Sequence, residues 1–234
     1  ARPETWGAAL DGVEGLFLMF PPSIGVDPVT AFVDAADRVG VDRIAFLSVL
    51  GAEKLPILPH RRIETHLAGR SVEVAFLRAA YFVQNLADIH RPEIIERDEL
   101  FVPAGDGALG FVDARDVGAV AARVIVGHVP AARGGLTYDL TGPEALDFHE
   151  VADLFSDVLE RNVRYADPGR IEFNRHMLGR GVSRGLVLFM LAEYEVARHG
   201  LSARTTDELG QLLERAPTTV REFVAEHRER FAPT

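Results

Sequence analysis

His60 stands between a proline and two arginines, Pro59-His60-Arg61-Arg62, and its imidazole could move a proton near neutrality. Ser48 closes the apolar stretch Ile44-Ala45-Phe46-Leu47, at what would be the carboxyl end of a strand, where open α/β sheets bind their ligands. Gln84 and Asn85 follow Tyr81-Phe82-Val83, and such an amide pair can orient a polar group while Phe82 offers an apolar wall. Each residue also has a plainer use. His60 can simply open a surface helix, Ser48 can cap the next turn and Asn85 can cap a helix start. Asp113 and Asp116 look like paired carboxylates, but the second reads as a helix cap and the first as a partner for Arg115 or Arg78. Phe173, Met177, Phe189, Met190 and Tyr194 suit either a substrate wall or an ordinary core between helices. His149, His176, His199 and His227 lack the spacing of metal ligands, so no metal site is expected.

Composition narrows the function classes. A net charge of −10, with 25 basic residues scattered along the chain, argues against a phosphate-backbone surface and hence against nucleic acid as a partner. There are no cysteines, which removes thiolate catalysis and disulfides and fits a cytoplasmic setting. No apolar run approaches the roughly 20 residues that a membrane helix needs, so no membrane partner is expected.

The elements that would position these residues alternate. Residues 15–20 form a continuous apolar run, expected to be a strand buried on both faces of a parallel sheet. Residues 29–39 have helical periodicity, 43–47 read as a strand, 60–67 as a helix and 72–77 as a strand, the order that builds parallel sheets by right-handed crossovers. A helix over 117–126 and a strand over 136–140 follow. From residue 148 the pattern turns mostly helical, over 148–159, 171–179, 187–199 and 218–230. The expectation is an α/β protein with a doubly wound, Rossmann-like parallel sheet over residues 1–147 and a continuous, mainly helical lobe over 148–234.

Several segments in this order resemble the NmrA-like branch of the atypical short-chain dehydrogenases/reductases. They are DGVEGLFLMFPPS, LSVLGAE, HRRIETHL, FLRAAYFVQNL, GDGALGFVDARDV and YDLTGPEAL. The resemblance implies NADP or NAD as cofactor, with Phe20, Pro21, Pro22, Ser48, Val49, Ala79, Ala80 and Tyr81 beside it. It also implies a small apolar substrate, quinone-, carbonyl- or polyketide-like, against Phe82, Gln84, Asn85 and Phe189, with His60 as the catalytic group. Alternative readings are a non-catalytic NAD(P)-binding redox sensor and a cofactor-free isomerase or cyclase.

The sequence departs from the family pattern in two ways. No GxxGxxG turn occurs in it, although such a turn presents backbone amides to a pyrophosphate. The expectation is therefore that the unit bearing the turn lies upstream, and that an upstream segment or an oligomer contact covers the sheet edge at residues 15–20. The only lysine is Lys54, with Leu50 four residues before it, so the Tyr-x-x-x-Lys pair common in short-chain dehydrogenases is absent from this sequence.

Overall fold

The computed structural model describes residues 2–21 and 24–233. A 3-10 turn at Pro3–Thr5 leads to α1 (Trp6–Leu10), β1 (Gly15–Met19), α2 (Val26–Val39), β2 (Arg43–Val49), α3 (Pro59–Ala68) and β3 (Glu73–Ala79). Next come β4 (Tyr81–Phe82), α4 (Gln84–Asp88), α5 (Arg91–Arg97), β5 (Glu99–Phe101), β6 (Leu109–Val112), α6 (Ala114–Ile125) and β7 (Leu136–Leu140). The chain continues through β8 (Ala145–Leu146), α7 (Phe148–Leu159), β9 (Arg164–Ala166), α8 (Arg170–Gly179), α9 (Arg184–Arg198), α10 (Glu208–Leu213) and α11 (Val220–Glu226).

Two compact units share these elements. The first comprises the residues up to Ala79 together with Arg115–Leu140 and Glu208–Arg215. Its sheet has the order β1-β2-β3-β7 and every pairing is parallel. Local sequence sets the crossovers. Gly40 ends α2 at φ 84° and returns its N–H to the Ala36 carbonyl, a left-handed cap that glycine adopts without strain. Pro59 opens α3 at the first turn, where its missing N–H costs nothing.

Because strand side chains alternate between faces, Ile44 and Phe46 of β2 and Val74 and Phe76 of β3 point the same way. They pack with Leu18, with Val29, Val33 and Ala36 of α2, and with Ile63 and Leu67 of α3. β1 corrects the expectation of a strand buried on both faces. Leu18 turns into this core while Phe17 and Met19, on the other face, remain 40% and 56% exposed, and among the described residues the strand pairs only with β2.

The second unit comprises Ala80–Ala114, Thr141–Asp207 and the residues from Ala216 onward. Compactness therefore divides the chain differently from a single boundary after residue 147. The segment β4 to β6 leaves the main sheet, and β7 returns to it beside β3. This unit is not purely helical, since β4-β6-β8 and β5-β9 form two small sheets. Strands of two to four residues are too short to display a period, so the sequence pattern gives no sign of most of them. The core is aromatic, with Phe148, Phe155, Phe173, Tyr194, Phe223 and Phe231 all buried. An Asp147/Glu150 capping box fixes the start of α7. Gly107 lies so close to α9 that a side chain there would collide with the Ala197 carbonyl.

Candidate functional site

In the first unit the parallel strands β1, β2 and β3 finish along one edge of the sheet. Phe20 and Pro21 follow β1, Ser48 and Val49 end β2, and Ala79 ends β3. Pro22 lies outside the described residues. The Leu50 N–H donates to the Ala79 carbonyl at 2.9 Å, tying the last two ends together.

Beneath this edge lies a buried ionic network. Ser48 and Arg78 are in register across β2 and β3, and both point to the α3 side. Glu64, on the inner face of α3 and 0% exposed, meets them there. Its carboxylate accepts from Ser48 Oγ at 2.7 Å, from Arg78 Nε at 2.9 Å and Nη2 at 2.8 Å, and from Arg61 Nη1 at 3.0 Å. Arg78 Nη1 also donates to Glu53 at 2.9 Å. Burial alone would raise the Glu64 carboxyl, but the hydrogen bonds from Arg78, Ser48 and Arg61 and the charge of Arg78 outweigh it, so its pKa lies below the ordinary value. The Ser48 hydroxyl is thus committed to locking α3 onto the strand ends.

That lock sets the place of His60, one helical turn before Glu64. Its partly buried ring stands edge-on to Phe20 at 5.3 Å between centroids and tilted against Phe46 at 6.4 Å. Burial lowers the imidazole pKa, and the neighbouring Glu64 charge only partly opposes this. Among the described residues the ring has no hydrogen-bond partner, so the group stands near the strand ends neutral and with its nitrogens unclaimed.

In the second unit, beginning at Ala80, the predicted residues have other attachments. Tyr81 is buried, with its hydroxyl 2.9 Å from that of Tyr194 and its ring edge-on to Phe111 at 5.5 Å. His90 Nε2 lies 2.7 Å from the Tyr194 hydroxyl. Gln84 uses both ends of its amide: Nε2 donates to Asp113 at 2.8 Å, and Oε1 accepts the Ala114 N–H at 3.0 Å. The Asn85 side chain lies near the Tyr81 hydroxyl. Phe82 is half-buried in β4 beside Val112, and Phe189 is 48% exposed on α9.

Asp113 accepts from Gln84, and Asp116, inside the first turn of α6, accepts from Arg215 at 2.5 Å. Phe173, Met177, Met190 and Tyr194 are buried core.

Sequence reasoning missed Glu64 and His90. Glu64 did leave a signal. It falls on the stripe of α3 that also carries Ile63 and Leu67, and a carboxylate on an apolar stripe needs a buried partner.

With this geometry in view, comparison with known proteins is informative. The profile of the NmrA-like family matches residues 3–224, and the chain belongs to that family. It is 31% identical over 226 residues to an uncharacterized oxidoreductase, YesF, of Bacillus subtilis (strain 168), covering 94% of this chain and 76% of the relative. It is 29% identical to the NAD(P)H azoreductase of Xenophilus azovorans, covering 98% of this chain and 81% of that protein. Among solved structures, the NADPH-dependent quinone oxidoreductase QOR2 of Escherichia coli, complexed with NADPH, superposes with a TM-score of 0.84 at 26% identity, covering 96% of this chain and 80% of that one. The α/β fold is thus that of NAD(P)-binding reductases, and the relatives are named oxidoreductases.

Proposed function

We propose that the protein is an NAD(P)H-dependent oxidoreductase that acts on a small apolar acceptor, quinone- or carbonyl-like. The observation that carries this reading is the half-buried, neutral His60, set edge-on to Phe20 at the carboxyl ends of three parallel strands. Its relatives' names support the reaction class.

The residues present fit the ring-bearing part of a nicotinamide dinucleotide. Val49 and Ala79 are small or apolar at adjoining strand ends, and Phe20 adds an aromatic edge, so a flat ring meets little polar competition. No GxxGxxG turn occurs in the sequence, and the pyrophosphate contact is assigned to no residue. When bound, the cofactor supplies hydride, that is, two electrons with one proton. The protein's part is orientation. His60, neutral because of its burial, hydrogen-bonds the acceptor oxygen and relays the second proton from water, while Phe20 and Phe46 fix the plane of its ring. Glu64 and Arg78 act at one remove, by holding α3.

The test is absorbance at 340 nm with NADPH and with NADH against a panel of quinones and carbonyl compounds. Consumption of a reduced nucleotide with at least one quinone is expected. A panel without any consumption contradicts the proposal.

A further inference from the structure

The connection from β2 to α3 holds large apolar side chains in water. Ile57 is 86% exposed and Leu55 48%, with Pro56 exposed between them. An apolar tip of this kind needs a reason, and here it is also rigid. A 3-10 turn over Ala52–Lys54 is anchored by Ala52, which is fully buried. The Leu58 N–H then donates to the Leu55 carbonyl at 3.0 Å, and Pro56 and Pro59 each fix a backbone angle within the same turn. An apolar surface shaped in advance loses little entropy when something covers it.

The charges around the tip identify the cover. In a chain of net charge −10, residues 54–63 hold Lys54, Arg61 and Arg62 and no Asp or Glu. Lys54 is exposed and forms no ion pair among the described residues. Beside the tip lies a shallow depression of about 580 Å³, lined by Glu53, Pro56, Arg61, Arg62, Thr65 and His66. Glu53 accepts from Arg78 at 2.9 Å, and His66 faces Asp34 at 2.7 Å. Arg61 gives one nitrogen to Glu64 at 3.0 Å and is otherwise half-exposed. Arg62 meets only Asp27 among the described residues, at 3.9 Å and with both side chains in solvent. Lys54 and the two guanidinium groups thus form a cationic collar around an apolar turn.

We propose that this turn docks on an anionic phospholipid surface, with Leu55 and Ile57 among the upper acyl chains and Lys54, Arg61 and Arg62 on the headgroup phosphates. Guanidinium groups match phosphate geometry, and an apolar tip behind a basic collar is how peripheral proteins enter a membrane interface. A folded protein partner suits the tip less well, because a specific interface takes about 800 Å² from each side, whereas lipid closes around a narrow projection. The acidic residues elsewhere do not cancel the attraction. At physiological salt the Debye length is about 8 Å, so distant charges are screened while those in contact are not. The expectation of no membrane partner rested on the lack of a span, and no helix of the structure is long and apolar enough to cross a membrane; a surface contact needs none. The same turn leads into His60, so docking sets the strand ends toward the phase in which an apolar acceptor concentrates. The contact itself does not depend on the reductase reading.

The experiment is flotation of the full chain with vesicles of phosphatidylcholine alone and of phosphatidylcholine with about 30% phosphatidylglycerol, in roughly 0.1 M salt, where screening reaches about 10 Å. Wild type is compared with Ile57→Asp, with the double variant Lys54→Glu, Arg62→Glu, and with Val126→Asp, which alters an apolar residue 63% exposed at the end of α6. Wild type should associate with the anionic vesicles at least tenfold more than with the neutral ones, since each basic residue at such a surface is worth about fivefold. Ile57→Asp and the double variant should each lower the anionic association at least tenfold, Val126→Asp should match wild type, and millimolar glycerol phosphate should displace none of the bound protein. No association by wild type, an Ile57→Asp variant that floats like wild type, an equal loss in Val126→Asp, or displacement by glycerol phosphate, which would make the depression a site for a soluble anion, overturns the proposal. Nucleotide oxidation with quinones is scored separately in the absence of vesicles, so failure of the reductase reading and failure of this surface are distinguishable.

Discussion

Two buried polar networks in this protein solve the same problem by opposite means. In the first unit, Ser48, Glu64, Arg78, Arg61 and Glu53 form an ionic cluster in which the buried carboxylate accepts four hydrogen bonds. In the second, Tyr81, Tyr194 and His90 form a neutral cluster. Burial raises Tyr81, raises Tyr194 well above its usual value, and lowers His90 to about 3, with Arg180 adding to the last shift. The ionic cluster is geometrically specific because charge-assisted, bidentate bonds tolerate little displacement. The neutral cluster avoids charge but leaves His90 Nδ1 without a hydrogen-bond partner among the described residues. A charged lock stands where α3 must hold His60 in place; the neutral one serves an aromatic core.

The largest effect should come from breaking the ionic lock at one partner only. Glu64→Ala takes two carboxylate hydrogen bonds from buried Arg78 and leaves it paired with the exposed Glu53, and should destabilise the protein by about 3 kcal/mol in urea unfolding, the low end for breaking a buried pair. The double variant Glu64→Gln, Arg78→Met should recover part of that loss. If Glu64→Ala unfolds like wild type, the lock does not hold the strand ends.

Acid should separate the two networks more finely. His90 has a lowered pKa when folded, so it contributes nothing to the pH dependence above its unfolded value near 6.5. Below that value the unfolded chain gains a proton that the folded one refuses, and stability falls by roughly 1.4 kcal/mol per pH unit until the pH nears 3. Glu64, also lowered, acts in the same sense but in a lower pH window. Its contribution is intact above the unfolded value near 4.5 and is lost only as the pH falls through its folded pKa. Between pH 6.5 and 4.5 the slope should therefore carry the His90 term without the Glu64 term. His90→Phe should flatten it by roughly 1.4 kcal/mol per pH unit, as read by urea unfolding at successive pH values. An unchanged slope would contradict the assignment.

Smaller effects complete the contrast. Tyr194→Phe removes the hydroxyl shared by Tyr81 and His90 and should cost about 1–3 kcal/mol, the range for leaving buried polar groups unpaired. Asp27→Asn, which breaks a solvent-exposed pair with Arg62 at 3.9 Å, should leave the melting temperature unchanged within error.

The same contrast explains what could be read from the sequence. The β1-α2-β2-α3-β3 run was legible because each element is long enough to show its period, and Ser48 was placed at a strand end and His60 at a helix start. The exposure of Phe17 and Met19 on β1 was not, because a continuous apolar run looks the same whether one face or both are covered. Ser48 was recognised at a strand end, but its hydroxyl is turned to Glu64, a partner sixteen residues away that only the crossover geometry brings near. In the second unit Tyr81, His90 and Tyr194 meet across separations of up to 113 residues, and no local pattern marks such a meeting. Gln84 and Asn85 were read as substrate anchors because an amide pair after a strand is chemically apt. What that reading did not foresee is that Gln84 brackets Asp113 and Ala114, contacts that only the fold brings together.

The most direct test of the account is steady-state nucleotide oxidation with a quinone acceptor at pH 7.5, comparing wild type with His60→Ala and confirming by thermal unfolding that both are folded. The account predicts turnover by wild type and a kcat about 10²-fold lower in the variant, within the range for a lost acid–base group, with the melting temperature little changed. Equal kcat in the two folded proteins, or no turnover by wild type, would contradict the placement of the chemistry at His60.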